Sequence, residues 1–522
     1  MSQAQKSVLK GMTILSIVGI ISKLIGALHR IPLAWIIGEQ GMGMYQLVFP
    51  TYNMLLAISS AGLPVAISRM VSFYLAKDDV RNAKKIFKLS LYFLAIVGLF
   101  ATLLMIVFSP QLAERTGDVQ TKMGFITIAP SLLLVCVLSA YRGYLQGQQN
   151  MTPTAISQLI EQVGKVLLAL PLAYFGSKIS IAMAAAFVLL GTSLAEACAL
   201  LYIYFSYRKN KKIVNSYHQN LNSPLEKNGE LLKKVLSMAI PITLAGCIVP
   251  ISGFIDSGLL LNRLIDAGIP SGEALAMYGR YSGYVITLIN VPSAFAAALA
   301  MNLVPSISAG IAKNNLEQVH ARSTWGLRYA FLIGLPCSIG MSILSKEILS
   351  FVYNFSSEES LSQTANLLSL SALTIVLFTG VQATSGILQG MKKQKIPMYT
   401  LLAGVIVKIT LNYILIGQPN IYIFGAPIAS LACYTISLLP NIYFVRKELP
   451  FALPYKNILG KPLMATAIMG VGIYGLQQLL PKGRIFTLLL IVVGVILYII
   501  GAVLTGAIEK NEYMRLIKKF KK

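Results

Sequence analysis

Lys23 and Arg30 stand about two helical turns apart in an otherwise apolar stretch, so a helix through them carries both on one face, with His29 beside the second. Glu161 and Lys165 have i,i+4 spacing with the acid first, the order that favours an ion pair. Lys408 has Asn412 one turn further along the same face, while Asp256, Arg280 and Glu196 interrupt other apolar runs. A charge at the centre of a membrane helix costs about 2.5–3.5 kcal/mol, so each needs a partner, water or a ligand. Positive groups outnumber negative ones in these runs. A water-filled cavity lined by Lys and Arg suits an anion, and guanidinium groups suit phosphate oxygens in particular. Organic cations would instead need carboxylates and aromatic faces. The expected anion-binding set is therefore Lys23, Arg30, Arg280 and Lys408. Glu161, Lys165 and Asp256 are the expected gating or ion-coupling groups.

Plainer roles compete for several of these residues. Glu161 and Lys165 can simply neutralise one another. Glu196, alone in its helix, reads as a protonated structural group. Arg280 lies a few residues into its span, where snorkelling competes with cavity lining. Arg69, Arg328 and Lys346 fall near span ends and are expected to snorkel to water.

Long apolar helices must hold these groups. Of 522 residues, 56% are hydrophobic and 12% charged, and mean hydropathy is +0.69. The apolar residues come in blocks such as 91–108, 181–205 and 485–504, long enough to cross roughly 30 Å of hydrocarbon as helices. The expected fold is an all-α integral membrane protein of about 14 spans. These lie near 12–37, 44–74, 86–109, 122–146, 155–176, 180–207, 233–262, 277–308, 325–350, 364–390, 397–417, 423–446, 460–480 and 484–507. Closed β-barrels are excluded, because their strands read as short alternating segments.

The net charge of +25 follows topology. Lys77–Lys88, Arg142, Arg208–Lys234, Lys313–Arg322, Lys392–Lys395, Arg446–Lys461 and the tail Lys510–Lys522 all fall on one side, which the positive-inside rule makes cytoplasmic. Both termini are expected there, with Lys6 and Lys10 leading a retained first span. No basic domain stands outside the membrane, so no nucleic-acid partner is expected. The tail could also lie on an anionic leaflet.

A basic linker, 208–232, separates an N-terminal six-helix lobe (1–207) from a C-terminal one (233–446). Two further helices and the tail occupy 447–522. The lobes share Gly143-Tyr144-Leu145-Gln146-Gly147 and Gly386-Ile387-Leu388-Gln389-Gly390, followed by Pro153 and Pro397. Proline pairs, Pro50 with Pro64 and Pro292 with Pro305, precede Ala76-Lys77-Asp78 and Ala312-Lys313-Asn314. This is the parallel kind of repeat, with pseudo-twofold related lobes whose rocking gives alternating access.

No phosphate-binding loop, HExxH or GxSxG motif is present, so no enzyme chemistry, cofactor or ATP hydrolysis is expected. Cys136, Cys198, Cys247, Cys337 and Cys433 are scattered without CxxC, and His29, His218 and His320 lie far apart, so no metal is expected.

The stretches 21–30, Ile37-Gly-Glu-Gln-Gly-Met-Gly-Met-Tyr45 and Gly62-Leu-Pro-Val-Ala-Ile-Ser68 resemble the polysaccharide-transporter branch of the multidrug/oligosaccharidyl-lipid/polysaccharide exporter superfamily. Within it, 142–153 and Ser157-Gln-Leu-Ile-Glu-Gln162 are similar to the stage V sporulation protein B group, relatives of MurJ-type lipid II flippases. The resemblance implies a flippase in the bacterial cytoplasmic membrane. Its cargo would be an undecaprenyl-pyrophosphate-linked sugar, a peptidoglycan or other cell-wall precursor, moved by alternating access with a proton or sodium ion as candidate coupling ion. The flippases' basic pair maps onto Lys23 and Arg30. Their acidic residue after the second basic position is Ile31 here, and their span-8 arginine aligns with Arg280 only after a shift of about two turns. Two other readings remain open: a cation-coupled multidrug exporter of the same superfamily, and a non-transporting membrane scaffold for wall or spore-coat assembly.

Overall fold

Hydropathy places the apolar blocks in the bilayer, and the computed structural model turns them into α-helices joined by short turns. It describes residues 15, 18–19, 21–214, 224–449, 452–481 and 483–508, and no strand occurs among them. Lys6, Lys10, His218 and the basic tail Lys510–Lys522 lie outside the described residues. Thirteen described helical stretches have the length and composition to cross a membrane. One of them, Ile21–Leu75, holds two of the expected spans in a single helical run, which accounts for the difference from fourteen. Gly38 breaks that run with φ 66° and ψ −169°, a conformation essentially restricted to glycine.

The chain packs as two compact units, Met1–Gly279 and Arg280–Lys522. The first holds α1 (21–28), α2 (Arg30–Ser60), α3 (Leu63–Leu75), α4 (Val80–Val107), α5 (Ser109–Thr116), α6 (Lys122–Ile128) and α7 (Pro130–Gly147). It continues with α8 (Thr152–Gly164), a π turn (Lys165–Ala169), α9 (Leu170–Ser177), α10 (Ile181–Val214), α11 (Asn228–Gly246), α12 (Ile248–Asp266) and α13 (Ser271–Gly279). The expected span over 233–262 is thus realised as α11 and α12, meeting at Cys247. Pro250 at the start of α12 has no N–H for the carbonyl of Gly246, which favours a break there.

The second unit opens with a π turn (Arg280–Val285). It then holds α14 (Ile286–Ala312), α15 (Leu316–Ile343), α16 (Ser345–Val352), α17 (Glu358–Gly390), α18 (Lys395–Ile416), α19 (Gly425–Glu448), α20 (Lys461–Leu479) and α21 (Arg484–Leu504). Large apolar side chains lie on the outer faces: Phe100 is 64% exposed, Val471 76% and Ile485 81%. Exposure of this extent is what lipid-facing helices need and water-facing ones avoid.

The repeat read from sequence recurs as packing within each unit. In the first, Gly143 and Gly147 of α7 lie against α3, and the Ser72 hydroxyl donates to the Gly147 carbonyl at 2.7 Å. In the second, Gly386 and Gly390 of α17 lie against α14, and Ser308 donates to the Gly390 carbonyl at 3.0 Å. Asp78 (φ 56°) and Asn314 (φ 51°) make left-handed turns, a conformation Asp and Asn tolerate. The next residues, Asp79 and Asn315, cap α4 and α15 by accepting from the Asn82 and Gln318 amides. The proline pairs do not share this alignment, since Pro64 packs on Gly143 where Ala300 packs on Gly386.

A Cβ at Gly143 would lie 2.9 Å from the Pro64 carbonyl oxygen, and one at Gly386 2.9 Å from that of Ala300. Gly143→Ala and Gly386→Ala are each expected to destabilise the protein by about 1–3 kcal/mol. Gly475→Ala, with no neighbour within 4 Å, is expected to be neutral or mildly stabilising. Thermal unfolding of the purified variants in detergent checks the contrast.

The described end of the linker is tied down within the first unit. Asn82 donates through Nδ2 to the Pro224 carbonyl and accepts at Oδ1 from the Glu226 amide, and Lys85 donates to the Glu226 carbonyl. The Glu226 carboxylate accepts from Lys234 and from the Tyr74 hydroxyl. Donation from Lys234 is the largest influence holding the Glu226 carboxyl below its ordinary value. A lowered carboxyl pKa contributes stability above the unfolded value, about 4.3, that is lost as pH falls through the folded value. Half-exposed ion pairs contribute little, so the effect is local. At pH 7 the Leu225–Lys227 amides of Glu226→Gln are expected to exchange hydrogen several-fold faster than wild type. The difference should shrink as pH falls through the lowered folded value.

Candidate functional site

Inside the first unit, α8 carries Ser157, Glu161 and Lys165 on one face, a polar stripe extended by one residue into the π turn. Pro171 supplies no N–H to the Leu167 carbonyl, which favours departure from the α register at this point. Gly164 lets α10 approach closely, for a Cβ there would lie 2.9 Å from that of Ala195. That approach brings Glu196 of α10 to the stripe.

A buried network results. Arg142 of α7 donates through Nε to Ser157 Oγ at 3.0 Å and through Nη2 to Glu161 Oε2 at 3.3 Å. Glu161 Oε1 accepts from Lys165 Nζ at 3.0 Å and from Gln162 Nε2 at 3.0 Å. Lys165 Nζ also lies 4.0 Å from Glu196 Oε1, which accepts from the Tyr52 hydroxyl of α2 at 2.8 Å. The four charged side chains are between 2% and 17% exposed. Two cations and two carboxyl groups meet here, so the network is balanced when both acids are ionised. Its polar groups satisfy one another, as buried charges require. Glu196 Oε2 is the exception, a buried oxygen with no hydrogen-bond partner.

Three earlier expectations change. Arg142 is not a topology charge in a loop: the helix runs on through Gly147, and Arg142 points to Glu161. Glu196 is not alone, because its partners come from α2 and the π turn. Arg328 is not at a span end. The polar segment before Trp325 is helical because Asn315 caps it, so Arg328 falls in the middle of α15 and is 7% exposed, with its guanidinium 5.5 Å from the Tyr329 ring. Lys346 does lie at a helix end, paired with Glu358 at 2.6 Å.

Lys23 is exposed on α1, and Arg30 begins α2. The Arg30 guanidinium lies 5.6 Å from the Phe49 ring centre and 6.0 Å from that of Tyr45, while its buried Nε meets no acceptor. His29 closes the turn between them through Nδ1 and the Gly26 carbonyl, 2.7 Å apart. A Cβ at Gly26 would lie 2.7 Å from Gln162 Oε1, so α1 rests directly on α8 beside the network. Asp256 is half-buried on α12, which packs on α2 in the same unit. Arg280 and Lys408 belong to the second unit. Arg280 is 6% exposed, well inside the helical run Ser271–Ala312, and Lys408 is half-buried in mid-α18 with Asn412 fully buried.

The site therefore gathers Lys23, Arg30, Glu161 and Lys165 in one unit and leaves Arg280 and Lys408 in the other. Sequence reasoning missed Arg142, Tyr52 and Ser157 as members. The i,i+4 repetition from Ser157 through Glu161 to Lys165 was the available signal for the last of these.

Residues 8–311 match the Polysacc_synt family, polysaccharide biosynthesis protein, and residues 241–414 match MatE. The chain is 29% identical over 458 residues to stage V sporulation protein B of Bacillus subtilis (strain 168), covering 87% of this chain and 86% of the relative. It is 26% identical over 495 residues to lipid II flippase MurJ of the same organism, covering 90% and 89%. Among solved structures, lipid II flippase MurJ in an inward closed conformation aligns with a TM-score of 0.72 at 14% identity, over 94% of this chain and 98% of that one. At that identity the likeness establishes the fold. The first family match alone spans more than half of the chain, and with the all-α membrane fold it settles the affiliation. This protein belongs to the polysaccharide biosynthesis protein family, within the polysaccharide-transporter branch of the multidrug/oligosaccharidyl-lipid/polysaccharide exporter superfamily.

Proposed function

We propose that this protein is a flippase that carries an undecaprenyl-pyrophosphate-linked sugar, such as lipid II or a related wall precursor, across the bacterial cytoplasmic membrane. One observation carries the reading. The Arg142–Glu161–Lys165–Glu196 network pairs its charged groups with one another, whereas Arg30 rests on aromatic faces with its Nε unpaired and Lys23 is exposed on the same helical run. Those two cations are therefore available to an anion, and a pyrophosphate matches their charge. Arg280 and Lys408 are the second unit's own candidate cations for an anionic ligand, and the lipid tail would stay in the bilayer.

Glu161, Lys165 and Asp256 would tune the equilibrium between access states, with Glu196 Oε2 a place for a proton or sodium ion to act. The name of one relative, lipid II flippase MurJ, supports transport over enzyme chemistry. Both termini would be cytoplasmic, as the loop charges require.

A cation-coupled multidrug exporter is the second reading. The Glu196–Tyr52 pair and the MatE match favour it, and the unpaired cation at Arg30 opposes it. A strain depleted of its lipid II flippases tests the proposal: expression of this protein should restore growth. Drug resistance without restored growth would favour the exporter. Neither effect, with the protein correctly inserted, would favour a scaffold.

A further inference from the structure

The second unit encloses a cavity of about 80 Å³ between α14, α17 and α19. None of the residues lining it is charged. Its polar wall is hydroxyl and amide: Asn290 and Ser293 from α14, and Ser371 and Thr374 from α17. Phe378 and Tyr434 add two aromatic rings, 5.3 Å apart at 71°.

The hydrogen-bond states of these groups differ in a useful way. Ser293 donates its proton to the Ile289 carbonyl and Thr374 donates to that of Ser371, so both face the cavity as acceptors. Ser371 is 1% exposed, and its hydroxyl has no hydrogen-bond partner, which leaves it able to donate and to accept. Asn290 is exposed, which places it at the mouth, and its amide also offers both roles. Mixed neutral donors and acceptors beside aromatic rings suit a ligand whose own groups are both donors and acceptors. Sugar hydroxyl and acetamido groups are of that kind. A metal cation is poorly matched, because no carboxylate lines the wall to offset its charge.

We propose that this cavity is a sugar subsite, taking one hydroxymethyl or acetamido substituent of the transported glycan while the pyranose ring lies against Phe378 and Tyr434. The volume decides how much enters. A cavity of roughly 150 Å³ takes a benzene ring, so about 80 Å³ takes a few heavy atoms and not a ring. This inference rests on the flippase reading and adds to it the part of the protein that reads the head group. The neutral pocket would tell one sugar from another.

Binding of two probes to the full-length protein in nanodiscs tests the subsite: lipid II, and undecaprenyl pyrophosphate without sugar. Wild type should bind lipid II about tenfold more tightly, the equivalent of one or two hydrogen bonds. Ser371→Ala with Asn290→Leu should remove that increment and leave undecaprenyl pyrophosphate affinity unchanged, which also shows that the variant is folded. Equal affinities in wild type, an increment that survives the double substitution, or equal weakening of both probes would each overturn the subsite. Failure of wild type to bind either probe would overturn the flippase reading along with it.

Discussion

Lys23→Ala combined with Arg30→Ala should abolish rescue of a flippase-depleted strain while the protein still inserts and accumulates. The two cations lie outside the ion-paired network, so their removal leaves no buried carboxylate stranded. What is lost is charge offered to a ligand. Hydrogen bonds to charged groups contribute about 1.5–3 kcal/mol each, so undecaprenyl pyrophosphate affinity should fall by about two to four orders of magnitude. Thermal stability should change little. Arg30→Lys should retain part of the function, since it keeps the charge and gives up the two-pronged geometry. Full rescue by the double alanine variant would remove these residues from the binding site.

Glu161→Gln should have the opposite profile, a large loss of stability. Glu161 is the only carboxylate that pairs with both Arg142 and Lys165 among the described residues, and all three side chains are nearly buried. Its neutralisation leaves Arg142 without a carboxylate and Lys165 with only Glu196, 4.0 Å away. Breaking a buried pair in this way costs about 3–5 kcal/mol. Unfolding in detergent should therefore shift strongly to lower temperature. Adding Lys165→Met, which removes one stranded cation, should recover part of the loss. A Glu161→Gln protein as stable as wild type would show that the network is solvated and not a structural clamp.

The contrast between these variants follows from what a single chain does and does not encode locally. Span positions follow from hydropathy, because a bilayer rewards long apolar runs wherever they fall. The i,i+4 spacing of Glu161 and Lys165 is a local fact, and so is the glycine break at residue 38. Membership of Arg142 and Glu196 is not local. Arg142 stands beside a glycine-rich word that reads as a helix end, and Tyr52 lies 144 residues from Glu196. Only the packing of α2, α7 and α10 around α8 brings them together. Arg328 was misplaced for a related reason. A polar stretch with Glu317, His320 and Arg322 reads as a loop until the Asn315 cap extends the helix through it.

The repeat shows the same division. The two Gly-x-Leu-Gln-Gly words were visible, and their function as flat surfaces for α3 and α14 was not. The proline pairs were visible too, but they do not occupy matching positions, because the alignment is set by glycine contacts and by the Ser72 and Ser308 hydrogen bonds.

Exposure of lipid II on the outer leaflet is the most direct test of transport. It is measured in a flippase-depleted strain with and without this protein, using a reagent that cannot cross the membrane. Transport predicts that expression restores outer-leaflet exposure and that the Lys23→Ala, Arg30→Ala protein does not. Lipid II that stays confined to the inner leaflet while the wild-type protein is correctly inserted would contradict the account.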